Sequence, residues 1–148
     1  MSLTEKINQD IKTAMLAKDK ERLFALRDIK SKLMLEATSG NGEVSEEVAN
    51  KIVLKLYKQR MDTYALYIEQ NREDLASDEI SQAKVIEEYM PKQMNDEEIR
   101  AVIVAKIAAV GASGPQDMGK VMGPVSAQLA GKADGKRVAE LVKEALSV

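Results

Sequence analysis

Apolar residues recur at three- and four-residue intervals from one end of this chain to the other, a pattern that buries helices against helices. Leu3, Ile7, Ile11, Ala14 and Met15 follow Ser2 at that spacing, and Leu23, Leu26, Ile29, Leu33 and Ala37 follow Asp19. Two amphipathic helices joined tightly at Lys18 and Asp19 result. The run SGNGEV, Ser39 to Val44, breaks the pattern. Ser45 with Glu46 and Glu47 restarts it, because a hydroxyl caps free amides and carboxylates suit the positive end of the helix dipole. Val48, Ile52, Leu56, Met61, Tyr64, Tyr67 and Ile68 then predict a helix of about twenty-five residues, roughly 38 Å long. Another is predicted over Asp74 to Tyr89, ended by Pro91.

Beyond Pro91 the pattern continues in shorter pieces. Asn95 and Glu98 have the spacing of a capping box, opening a helix that Gly111 closes. The spacing predicts a further helix over Gln116 to Ala130, a turn at GKADG and a last helix from Gly135 to Ser147, with Val138, Leu141, Val142 and Ala145 inward. Pro124 cannot donate to the carbonyl of Lys120, so a kink or break is expected there. The expected fold is all-α: an N-terminal helical bundle with one long helix over residues 1–92, then a small three-helix domain over residues 93–148. A chain of 148 residues is long enough to give each part a core.

The residue inventory removes whole classes of chemistry. There is no histidine and no cysteine, which excludes thiol nucleophiles, histidine-based triads and soft metal sites. The opening MSLTEKINQD is charged where a signal peptide is apolar, and no stretch reaches the length of a membrane span. The cytoplasm is the expected compartment; no metal, cofactor or membrane partner is expected. Acidic pairs such as Glu46 with Glu47, Glu87 with Glu88, and the Asp96 to Glu98 run sit at helix ends and read as dipole and surface groups.

The stretch DMGKVMGPVSAQLAGKADGKRVAELVKEAL, Asp117 to Leu146, concentrates glycine and basic residues. Gly114 to Lys120 has the spacing of a phosphate-binding loop up to its lysine, but Val121 stands where a Ser or Thr would hold magnesium, and no strand leads into it. Gly119 and Gly123 lie one turn apart in a helix, each at a cost of about 1 kcal/mol relative to alanine. Close approach of a neighbouring helix is one reason for them, and close approach of a phosphate backbone is another. Lys132, Lys136 and Arg137 surround the start of the last helix, where amides attract anions, while Asp134 caps that helix and repels them. The turn reads as a solvated charged bend or as an anion grip. No aromatic follows Tyr89, so nucleic acid held here is held by its backbone and shape.

These motifs, together with AMLAKDKERLFALR, KQRMDTYALYIEQNREDLASDE and IEEYMPKQMNDEEI, resemble the GatB/YqeY family over nearly the whole chain. The tail is similar to the last domain of the B subunit of the tRNA-dependent amidotransferase. The resemblance implies a helical module that engages tRNA. It carries the family label of carbon-nitrogen ligase with glutamine as amido-N-donor, an activity not expected of this chain, which shows no catalytic constellation. The family's glycine and lysine motif maps onto Gly119, Lys120, Gly123, Gly131, Lys132, Asp134, Gly135 and Lys136; Pro124 departs from it.

The expected function is therefore a tRNA-binding accessory module of translation, with Lys120, Lys132, Lys136 and Arg137 on phosphates and Gly119, Gly123, Gly131 and Gly135 permitting backbone contact. Four neutralised phosphates imply about a hundredfold loss of affinity between roughly 50 and 200 mM salt. The alternative is a protein adaptor whose Tyr57, Tyr64 and Tyr67 dock onto an aminoacyl-tRNA synthetase or amidotransferase.

Overall fold

A computed structural model describes residues 1–147. Those residues form an all-α protein that divides into two compact units, Met1–Met90 and Pro91–Val148.

The first unit holds α1 (Leu3–Ala17), α2 (Lys20–Ser39), α3 (Glu46–Glu69) and α4 (Glu73–Glu87). Its boundaries are set by local chemistry. Ser2 caps α1 in a capping box with Glu5, and Lys18 in the left-handed region sends its amide back to the carbonyls of Ala14 and Met15. Asp19 then caps α2 through the amide of Arg22. Ser45 caps α3 through Val48, as the sequence predicts. Asn71, with φ of 58°, reverses the chain into α4. The expected end at Tyr89 comes two residues early, and looser three-residue turns carry the chain through Glu88, Tyr89 and Met90.

Ile7, Leu26, Ile29, Leu33, Val53 and Ile86 are fully buried at the centre of this unit. The apolar positions expected at the helix ends behave otherwise. Met15 is exposed beside the left-handed turn, and Ile68 is exposed at the end of α3. Only the first half of α3 reaches the core, through Ala49, Val53 and Leu56. Tyr89 ties three helices together: its hydroxyl donates to Asp10 at 2.5 Å and accepts from Arg22 at 3.2 Å, while Arg22 pairs with Glu88 at 2.6 Å. Burial, then the bond to Asp10, holds the Tyr89 phenol well above its ordinary range, so it remains a donor throughout physiological pH.

The second unit holds α5 (Asp96–Val110), a short 3-10 turn (Pro115–Asp117), α6 (Met118–Gln128) and α7 (Gly135–Leu146). Asn95 and Glu98 form the expected capping box, and Gly111 closes α5 with φ of 69°. Ile103, Val121, Val125, Val138, Leu141 and Val142 make the core. The break expected at Pro124 does not occur: α6 runs through it. Two features explain this. Val121 and Val125 on either side are fully buried, which pins the helix, and the proline faces solvent, where water can satisfy a carbonyl left without its amide.

Candidate nucleic-acid interface

The α6–α7 turn is braced from within its own unit. Gly131 takes the positive φ of 76° that lets the chain leave α6. Its carbonyl accepts from Gln93 Nε2 at 2.7 Å, and the carbonyl of Lys132 accepts from the amide of Met94 at 2.9 Å. The segment entering the second unit therefore clamps the turn. Asp134 caps α7 by accepting from the amide of Lys136 at 3.2 Å, as the sequence predicts. Residues Gln93 and Met94 carry no sequence signal for this role, since each meets a partner 38 positions away.

The four candidate cations differ in their surroundings. Lys132 and Lys136 are exposed, and neither has an acidic partner among the described residues. Arg137 is already engaged: Nε and one terminal nitrogen donate to both oxygens of Asp96 at 3.1 and 2.7 Å, and the other meets Glu140 at 2.9 Å. This fork-to-fork geometry holds the Asp96 carboxyl below its usual range. Asp96, read from the sequence as a dipole group, is thus the partner of a predicted phosphate ligand. Lys120 lies 3.5 Å from Asp117 and remains largely exposed.

The cations do not form one cluster. Lys120 stands near the start of α6, while Lys132 and Lys136 flank the turn beyond its end, about 12 Å of helix away. Between them Gly119, Lys120, Gly123 and Pro124 occupy the solvent side of α6, opposite Val121 and Val125. A Cβ placed on Gly119 or Gly123 would meet nothing within 4 Å, so no neighbouring helix explains either glycine. Gly123 has a local reason, because a side chain before Pro124 would clash with the proline ring in the helical region. Gly119 has none. Gly135 is likewise open.

Several other readings meet specific geometry. In the loop with phosphate-binding spacing, the Asp117 carboxylate accepts from the amide and hydroxyl of Ser113 at 2.9 and 3.3 Å, placing a negative charge among those backbone groups. That amide, then Lys120, holds Asp117 below the usual carboxylate range. Tyr57, Tyr64 and Tyr67 are half-buried rather than displayed. Among the described residues there is no group of three or more metal-ligating side chains, and no helix is long and apolar enough to cross a membrane.

These features define an all-helical protein of two units with an exposed, basic interhelical turn in the second. The model of the YqeY-like protein family matches residues 4–146, and the chain belongs to that family. Curated relatives are named "Altered inheritance of mitochondria protein 41, mitochondrial". The one from Kluyveromyces lactis is 36% identical over 84 residues, covering 56% of this chain and 45% of its own length. The one from Clavispora lusitaniae is 30% identical over 101 residues, covering 67% of this chain and 59% of its own length. The chain thus spans about half the length of the curated relatives it matches.

Proposed function

We propose that the second unit is an accessory module that holds tRNA by its phosphate backbone. The observation that carries this reading is the braced α6–α7 turn presenting Lys132 and Lys136 without acidic partners among the described residues. Lys120 adds a third, partly neutralised charge. Arg137 is assigned to holding α7 against the start of α5, not to RNA. Gly119 opens the α6 backbone to a ligand.

With two cations lacking acidic partners among the described residues and a shared third, the second unit's share of the loss of affinity between roughly 50 and 200 mM salt is about ten- to fortyfold, below the value for four phosphates. The reading asks for a compartment that holds tRNA. The relatives' names place those proteins in mitochondria, so that compartment stands beside the cytoplasm expected from the sequence. Amide transfer is not part of the reading, which concerns binding alone.

The experiment is titration of tRNA into the purified chain and its Gly119→Ala variant, with melting followed in parallel. Alanine removes up to about 1 kcal/mol of helix penalty, so the variant melts a few degrees higher while binding tRNA several-fold more weakly. Higher stability with unchanged affinity would remove α6 from the interface.

The pH dependence is a second check. The chain has no histidine or cysteine, so no side-chain type it contains titrates near neutrality at its ordinary value. Affinity for tRNA is expected to stay level between about pH 6 and 8.5. The depressed Asp96 carboxyl contributes stability that is present above its unfolded value of about 4 and is lost as pH falls through the lower folded value. Far-ultraviolet circular dichroism should accordingly show the loss only on the acid side, and a transition near pH 7 would contradict the account.

A further inference from the structure

The first unit carries a face that the reading above does not use. Helix α2 turns Leu26, Ile29 and Leu33 into the core, which leaves Lys20, Phe24, Arg27, Ser31 and Leu35 on the opposite side at helical spacing. All five are exposed. Phe24 is the only phenylalanine in the chain and is 58% exposed, whereas Tyr57, Tyr64 and Tyr67 are half-buried and Tyr89 is buried. It is therefore the one exposed aromatic ring among the described residues. Lys20 and Arg27 stand one turn to either side of it, without an acidic partner among the described residues. Glu21, three residues before Phe24, is an exposed carboxylate at the flank of this face, which leaves Lys20 and Arg27 in excess by one charge; Asp28, four residues after it, is turned aside and paired with Arg60 at 3.0 Å.

We infer that this face is a second RNA contact, in which Phe24 stacks on an unpaired base while Lys20 and Arg27 meet the phosphates on either side. A free aromatic face between two cations is the arrangement that binds single-stranded nucleic acid. Charge chooses an anionic partner. The dispersion of the apolar groups along α2 favours RNA over an acidic protein: Phe24 is separated from Met34 and Leu35 by Arg27 and Ser31, about 15 Å along the helix, the exposed Met15 and Leu16 belong to α1, and a protein interface needs a contiguous apolar centre. The inference rests on the RNA reading and specifies its substrate class as RNA with both backbone-displaying helix and unpaired nucleotides. The last segment of the chain, without an aromatic, supplies only the former contact.

The test uses the full chain with two RNA probes, a hairpin with an unpaired loop and a blunt duplex of equal charge. Phe24→Ala is expected to weaken hairpin binding about tenfold or more and to leave duplex binding within twofold. Phe24→Tyr restores the hairpin affinity. Because the chain has no tryptophan, Phe24→Trp adds a single reporter whose emission is quenched by the hairpin and not by the duplex. Equal hairpin affinity for Phe24→Ala and parent, with no quenching, overturns the stacking contact while the backbone grip stands. Failure of the parent to bind either RNA overturns both. Loss confined to capture of an acidic peptide or of anionic vesicles, with RNA affinity unchanged, assigns the face elsewhere and overturns the inference.

Discussion

Lys132→Glu combined with Lys136→Glu is expected to lower tRNA affinity at least tenfold near 50 mM salt and to flatten its salt dependence. Each lysine withdrawn from a phosphate removes about 0.9 from the slope of log affinity against log salt, so the pair removes close to 2. Reversing the charge adds repulsion to that loss. The fold should not notice: both side chains are exposed, and the bonds that shape the turn run through the backbone of Gly131 and Lys132. Fluorescence anisotropy with labelled tRNA measures the affinity, and circular dichroism checks that the helices persist. Arg137→Ala behaves differently, because its partners are Asp96 and Glu140. It should lower the stability of the second unit, with a smaller effect on affinity. Equal effects of the two changes on binding would mean that the turn acts through its shape alone.

Leu141→Ala is expected to unfold the second unit selectively. Leu141 is 1% exposed in a core shared by α5, α6 and α7. Truncating a buried leucine to alanine costs about 2–5 kcal/mol, through lost transfer energy and the cavity left behind. The unit has fewer than sixty residues, and a domain that small rarely has more than about 3–5 kcal/mol to lose. The first unit has its own core around Leu26 and Ile29, so its melting should survive. Calorimetry should resolve a lost or shifted transition beside a retained one, and hydrogen exchange should localise the loss to Val138 and Val142. Leu146→Ala, at the end of α7 where the helix frays, should cost less. A single transition, shifted as a whole, would show that the two units unfold together.

The elements of this protein are legible because their signals are short-range. Ser2 with Glu5, Asp19 with Arg22, Asn95 with Glu98 and Asp134 with Lys136 each act within four residues, and each appears in the structure as a cap. Helix faces follow the same logic, since Val138, Leu141 and Val142 must share a side. Pro124 misleads because the rule it follows is local while the outcome is tertiary: burial of Val121 and Val125 carries the helix through. The site is less legible for the same reason. Nothing near Arg137 announces Asp96, 41 residues earlier, nor does anything near Gly131 announce Gln93. Sequence composition counts cations; only the fold shows which are already matched.

The same contrast applies to the glycines. A pair four residues apart in a helix invites a close-packed neighbour, yet both face solvent with no neighbour within 4 Å of a Cβ. Gly123 answers to the proline that follows it. Gly119, unexplained by packing, is the glycine whose replacement is expected to separate stability from binding.

Whether the second unit grips phosphates, and how many, is read most directly from the slope of tRNA affinity against salt. Titration of unfractionated tRNA from about 50 to 200 mM salt is expected to give a slope of about −1.8 or steeper: Lys132, Lys136 and a partly engaged Lys120 supply about −1.8 to −2.7, and Lys20 and Arg27 add up to about −1.8 where the α2 face also engages. Binding that ignores salt over that range, or no binding at its low end, would contradict the account.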